Sequence, residues 1–231
     1  MNYSIIIPLY KEKKNLIKLI FSLNKYLKSL KIKYEVLFID DDSRDGSLQL
    51  FEKNKKKNMK FLIRKEQPKD LSKSVIYGFK QAKFNNYVVM DGDLQHKPSD
   101  LVKLINIFNK KKYDVIIGVR NLSNFKNSNL SFVRYFASRI LILITNFLFK
   151  YKLKDPMSGF FIIKKSIVIK CYNKLFIKGY KVLLDIILSY PKKMIIYETN
   201  INFDLRKKGN SKMNLKILYQ LIVFILIKKI F

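Results

Sequence analysis

Cysteine, arginine and acidic residues are the scarce components of this 231-residue chain. With the single cysteine Cys171, no intramolecular disulfide can form and no cysteine-based zinc site can be assembled from one chain, which fits a reducing compartment. No stretch is rich in Pro, Gly or Ser, so no flexible linker divides the chain. The start, residues 1–8, enters an apolar run with no basic n-region and no small-residue cleavage site, so no signal peptide is expected and the protein is expected to begin in the cytoplasm. Three nucleotide and hydrolase signatures are also missing: the P-loop pattern, Gly-x-Gly-x-x-Gly and Gly-x-Ser-x-Gly. No run reaches the ~20 predominantly apolar residues that a spanning helix requires.

What is present is a well-populated core and a large positive charge. Hydrophobic residues make up 48% of the sequence, far above a disordered chain, and the length suits one α/β domain rather than two undersized ones. The 47 basic residues against 17 acidic ones leave a formal charge of +30, which points to an anionic partner. Lysine runs read as solvated surface in so lysine-rich a chain. The six arginines (Arg44, Arg64, Arg120, Arg134, Arg139, Arg206) are more informative, because only Arg offers a planar fork for phosphate.

Hydrophobic periodicity predicts strands over residues 3–8, 34–40, 59–64, 87–90 and 113–119. Between them it predicts helices over 15–30, from the turn 43–46 to about 56, over 72–84, and over 98–110 with Pro98 at its start. Such alternation implies a mostly parallel sheet flanked by helices, with ligands beyond the carboxyl ends of the strands. Two acidic clusters, 40–43 and 91–95, fall at those ends and can face one crevice. After Arg120 the alternation breaks. The apolar segments 132–149 and 215–231 are interrupted by polar and basic residues, and are expected to lie as amphipathic helices in a lipid interface, buried core helices being the other reading.

Asp91-Gly92-Asp93-Leu94-Gln95 offers three oxygen donors at a strand end, suited to Mg²⁺ or Mn²⁺ bound together with substrate phosphates. Asp40, Asp41 and Asp42 either meet nucleobase and ribose donors or form a capped turn with Ser43, with Arg44 neutralising one charge. The lone histidine, His96, reads as a structural neighbour of the metal cluster rather than a base.

Taken in order, IIIPLYKEKKNL, FIDDDSRDGS, DLSKSVIYGF, VVMDGDLQHKP, VIIGVR, KDPMSGFF, GYKVLLDI and FDLRKKGNSKM resemble the family 2 glycosyltransferases, in particular the branch that makes polyprenol-phosphate sugars. The resemblance implies a GT-A-type (Rossmann-like) fold. It implies nucleotide-sugar contacts from Pro8, Tyr10, Glu12, Ile39, Asp40, Asp41, Asp91, Gly92, Asp93, Arg120, Arg206 and Lys212, and metal ligation by Asp91, Asp93 and Gln95. Arg120, Arg134 and Ser211 would meet the acceptor phosphate, with Arg139 close enough to compete with Arg134. Asp91, Asp93, Arg120 and Arg206 would carry catalysis, with inversion at the anomeric carbon. The implied partners are a donor of the GDP-mannose or UDP-glucose type, a polyprenol phosphate and a membrane surface.

The branch usually carries Asn where this sequence has Lys11. Many members continue into transmembrane helices, whereas this sequence stops at Phe231, so a peripheral position at the cytoplasmic face or a membrane-anchoring partner protein is expected. Residues 1–120 would form the donor and metal half of one domain, and 121–231 the acceptor half. An enzyme of the same fold acting on a soluble or polysaccharide acceptor would share every donor-side motif but leave both apolar segments without a use. A nucleic-acid-binding protein, suggested by the charge and the many Tyr and Phe, would have no need of Asp91 and Asp93, and nucleic acid is not expected as a partner.

Overall fold

The computed structural model describes residues 1–121, 132–148, 152–179, 181–204, 223, 224 and 228. Its centre is β1 (Asn2–Leu9), in which every residue after Asn2 is buried. β1 pairs in parallel with β2 (Lys33–Asp40) on one side and β4 (Asn86–Val89) on the other, and β3 (Met59–Ile63) extends the sheet beyond β2. With β5 (Val115–Val119), β6 (Phe161–Lys164) and β7 (Ile196–Asn200), the seven-stranded order is β3-β2-β1-β4-β6-β5-β7.

Side chains alternate across a strand, so β1 feeds two cores. Tyr3, Ile5, Ile7 and Leu9 pack on the side of α1 (Lys13–Lys28) and α4 (Pro98–Lys110), while Ile6 joins α3 (Leu71–Gln81) on the other. α1 buries Leu16, Leu19, Ile20, Leu23 and Leu27, one helical face. α3 approaches the sheet closely at Gly78, where a Cβ would lie 2.5 Å from Ile6 Cγ2. The short α2 (Ser47–Asn54) follows Gly46, whose φ of 85° suits a residue without a Cβ.

Beyond Arg120 the structure adds what periodicity left unread. β6 runs antiparallel to both β4 and β5, and β7 closes the edge parallel to β5. β6 has four residues and passes directly into α6 (Lys165–Cys171) with no Gly or Pro between, so no local signal marks it. A 3-10 turn (Tyr172–Lys174) and α7 (Val182–Ser189) follow.

α5 (Phe132–Leu148) packs through Leu141 against Leu184 and Phe224, with Ser138 and Thr145 also buried. Its outward side carries Phe136, Ile140, Leu143 and Phe147, the last 88% exposed. Among the described residues no helix is long and apolar enough to cross a membrane.

Candidate active site

The parallel strands β1, β2 and β4 end along one sheet edge. Leu9 lies in register with Asp40, Asp41 N–H donates to Leu9 O (2.9 Å), and a Cβ on Gly92 would meet Leu9 Cδ2 at 2.3 Å. The two acidic clusters are thereby neighbours at a single edge.

At the end of β4, Asp93 and Gln95 are buried, and Gln95 N–H donates to Asp93 Oδ1 (3.1 Å). Gln95 Nε2 donates to the Asp204 carbonyl (3.1 Å), which leaves the amide oxygen as the end available to a cation. Asp91 has a more open carboxylate, whose Oδ2 lies 3.4 Å from His96 Nε2. Gly159 lies directly against it: a Cβ there would be 2.6 Å from Asp91 Oδ2. Among the described residues no group of three or more His, Cys, Asp or Glu side chains is placed to hold a metal ion, and the amide oxygen of Gln95 is the further oxygen donor on this loop beside Asp91 and Asp93. Two carboxylates and an amide oxygen fit a hard divalent cation that completes its shell with substrate oxygens.

Arg120, just past β5, is held by Asp155. Its Nε and one terminal nitrogen donate to the two carboxylate oxygens at 2.6 and 2.7 Å, a bidentate pair, and its backbone N–H reaches Oδ2 at 3.3 Å. Burial works against the guanidinium charge, but Asp155 and the nearby Asp91 outweigh it and hold the group further on the protonated side. Lys154 and Asp155 N–H groups donate in turn to Glu198 Oε1 on β7. Burial raises the Glu198 carboxyl above its usual range, with the neighbouring Asp155 adding to the rise.

On the nucleoside side, all three adjacent aspartates have protein partners. Asp40 accepts from both N–H and Oγ of Ser43, and burial nevertheless raises its carboxyl above the usual value. Asp41 accepts from Asp70 N–H (2.7 Å) and pairs with Arg64, whose side chain is fully buried and also donates to Pro68 O (3.0 Å). Asp42 pairs with the exposed Arg44 at 3.0 Å. The geometry shows the capped turn directly, and the cluster stands at the same sheet edge as residues 91–95. Pro8 and Ile39 are buried within the strands, and the half-buried Tyr10 ring lies under the ammonium groups of Lys69 and Lys11 at 5.1 and 5.5 Å. Glu12 accepts from Asn15 Nδ2 (2.7 Å), and Lys11 stands at φ 58°, a conformation in which Asn is the better tolerated residue.

The structure therefore brings Pro8, Tyr10, Glu12, Ile39, Asp40, Asp41, Asp91, Gly92, Asp93, Gln95 and Arg120 to the carboxyl ends of β1, β2, β4 and β5, along one edge of the sheet. Arg206, Ser211, Lys212 and the Arg134 side chain lie outside the described residues, as does most of 215–231. Four residues escaped sequence reasoning: Asp155, Glu198, Gly159 and Arg64 as a partner of Asp41. Asp155 and Gly159 stood inside a recognised motif, but their partners are far away in sequence and no spacing rule connects them.

The model of the glycosyl transferase family 2 matches residues 4–174, and the chain belongs to that family. It is 34% identical over 223 residues to the dolichol-phosphate mannosyltransferase of Pyrococcus furiosus, covering 95% of this chain and 61% of that one. The match to the Saccharomyces cerevisiae protein of the same name is 28% identical and covers 95% and 84%. The chain thus spans about three fifths of the archaeal relative's length. Among solved structures, glucosyl-3-phosphoglycerate synthase from Mycobacterium tuberculosis, in complex with Mn²⁺, UDP and glucosyl-3-phosphoglycerate, superposes with a TM-score of 0.74 at 13% identity, covering 98% of this chain and 79% of that one. At that identity the likeness establishes the shared GT-A-type fold.

Proposed function

We propose that this member of glycosyl transferase family 2 moves a hexose, mannose or glucose, from a GDP- or UDP-sugar onto a polyprenol phosphate at the cytoplasmic face of a membrane. The names of the archaeal and yeast relatives support the acceptor class. The observation that supports a lipid acceptor over a soluble one is the outward side of α5, where Phe136, Ile140, Leu143 and Phe147 follow one another at helical spacing and are all exposed. A soluble enzyme gains nothing from such a ridge, whereas a lipid interface buries it.

The chemistry follows from charge. The acceptor phosphate is already an anion, so its oxygen attacks the anomeric carbon without a general base. The bond from that carbon to the nucleoside diphosphate breaks, the electron pair leaves with the diphosphate, and in-line attack inverts the centre. Asp91, Asp93 and Gln95 would hold Mg²⁺ or Mn²⁺, which when bound supplies positive charge to the departing diphosphate. Arg120, fixed in orientation by Asp155, presents its remaining N–H groups where two anions must approach each other, and Arg134, Arg206, Ser211 and Lys212 are assigned to the phosphates with it. Pro8, Tyr10, Glu12, Ile39, Asp40, Asp41 and Gly92 would cradle the nucleoside. In this reading residues 1–120 form the donor half and 121–231 the acceptor half.

Flotation with anionic liposomes tests the interfacial assignment. Leu143→Glu/Phe147→Glu removes two outward apolar side chains, each contributing ~1.5–3 kcal/mol on burial, and is expected to weaken liposome binding by about 100-fold or more with the thermal midpoint unchanged. Undiminished flotation would refute the interfacial role of α5.

A further inference from the structure

Immediately after β7 the chain does not leave the sheet; residues 200–204 run across the start of α4 and the metal-binding loop, fastened at every step. Lys103 Nζ donates to Asn200 O (2.8 Å) and Asn202 N–H donates to Asp100 Oδ2 (2.9 Å). Phe203 forms an antiparallel bridge with His96. Asp204 N–H donates to Gln95 O (3.0 Å), its carbonyl receives Gln95 Nε2, and its carboxylate pairs with Lys97 Nζ at 3.0 Å.

Phe203 is the centre of this strap. Its ring meets the His96 imidazole edge-on with centroids 5.2 Å apart, His96 packs on Phe160 from another direction at 5.1 Å, and the Arg120 guanidinium lies 5.7 Å from the Phe203 centroid. His96 in turn touches Asp91. One aromatic side chain therefore contacts both the neighbour of Asp91 and the arginine beside it, while the next residue's backbone orients Gln95. An amide side chain can present either oxygen or nitrogen to a ligand. A carbonyl partner accepts only the nitrogen, so Asp204 O determines that Gln95 presents oxygen.

We propose that residues 200–204 are a positioning strap for the metal loop: Phe203 and the Asp204 carbonyl hold Gln95 and His96 in the arrangement that lets Asp91, Asp93 and the Gln95 oxygen bind a divalent cation. The inference rests on the metal assignment made above. It gives Phe203 and Asp204 a role although neither touches the cation. Groups that orient a metal's ligands without ligating it govern affinity about 10–100-fold in well-studied sites.

The test is Mn²⁺ binding to the full chain without donor or acceptor, followed by the electron paramagnetic resonance signal of free Mn²⁺, for the parent, Phe203→Ala, Gln95→Ala and the double variant. Phe203→Ala is expected to weaken Mn²⁺ binding about tenfold, Phe203→Tyr to restore it, and Phe203→Ala to cost clearly less once Gln95 is gone, because part of its effect passes through that ligand and the rest through His96 and Asp91. Thermal unfolding of each variant reports its fold. Parent-like Mn²⁺ affinity in a folded Phe203→Ala, or full additivity in the double variant, would overturn the strap. If Phe203→Ala does not fold, Lys97→Met removes the ion pair from the surface, and unchanged affinity in that variant would overturn the strap equally. A parent chain that binds no Mn²⁺ would refute the metal assignment and the strap together, an outcome distinct from the others.

Discussion

Arg120 illustrates what a single residue at this sheet edge has to reconcile. Its guanidinium is buried beside Asp91 and stays charged because Asp155 satisfies two of its donors at 2.6 and 2.7 Å, leaving the others directed elsewhere. The family resemblance pointed to Arg120, one of six scarce arginines, but Asp155, 35 residues away, was legible only as a letter in a motif. Gly159 is the same kind of residue. Its missing Cβ leaves room for the Asp91 carboxylate, so Gly159→Ala must displace that carboxylate or shift β6. Gly159→Ala is expected to weaken Mn²⁺ binding about 10–100-fold, measured by titration calorimetry; parent-like affinity would count against Asp91 as a ligand. Lys11 makes the opposite point. With φ at 58° it occupies a conformation that costs most side chains about 1 kcal/mol and Asn less. Lys11→Asn should raise the thermal midpoint by about 2 °C, and a lowered midpoint would show that its ammonium over Tyr10 outweighs the backbone cost.

At the scale of elements, the first five strands and the helices between them were legible because each is long enough to show its period and is punctuated by Gly, Pro or polar turns. Predicted and observed bounds differ by a residue or two for the strands, as with 3–8 against Asn2–Leu9, and by up to three for the helices, as with 72–84 against Leu71–Gln81. β6 and β7 were not legible. β6 is antiparallel and four residues long, and β7 (IYETN) has a mixed exposure pattern as an edge strand. α5 was read as an apolar segment with two possible environments, and the structure divides it: Ser138, Leu141 and Thr145 turn inward while the larger apolar residues turn outward. The inward face is mixed, with Leu141 and Ile144 beside Ser138 and Thr145, while the outward face carries Phe136, Ile140, Leu143 and Phe147, where a surface helix in water would carry polar residues.

Across the whole molecule, charge is the dominant feature, and one buried lysine shows how it is accommodated. Burial lowers the Lys181 ammonium from 10.5 to about 8, against the pull of Asp185 and Asp70, while Lys228 pairs with Asp185 at 2.9 Å. A folded-state value below the unfolded one means that the folded chain binds fewer protons between about pH 8 and 10.5, so this group makes stability rise with pH across that window. Lys181→Met should be more stable than the parent at pH 7, with the difference shrinking as pH rises through 8. Thermal melts at several pH values check this, and a pH-independent difference would contradict it. In the proposed function the surface lysines and the α5 ridge would attach the protein to an anionic lipid surface, and the sheet's carboxyl edge would supply the donor chemistry. The most direct measurement of that account is transfer of radiolabelled sugar from a panel of GDP- and UDP-sugars to polyprenol phosphate, with Mg²⁺ or Mn²⁺ and with chelator, by the parent and Asp93→Ala. The account predicts a lipid-soluble labelled product that requires the cation and is lost in Asp93→Ala without loss of fold. Transfer only to a water-soluble glycan, or a lipid product undiminished in Asp93→Ala, would contradict it.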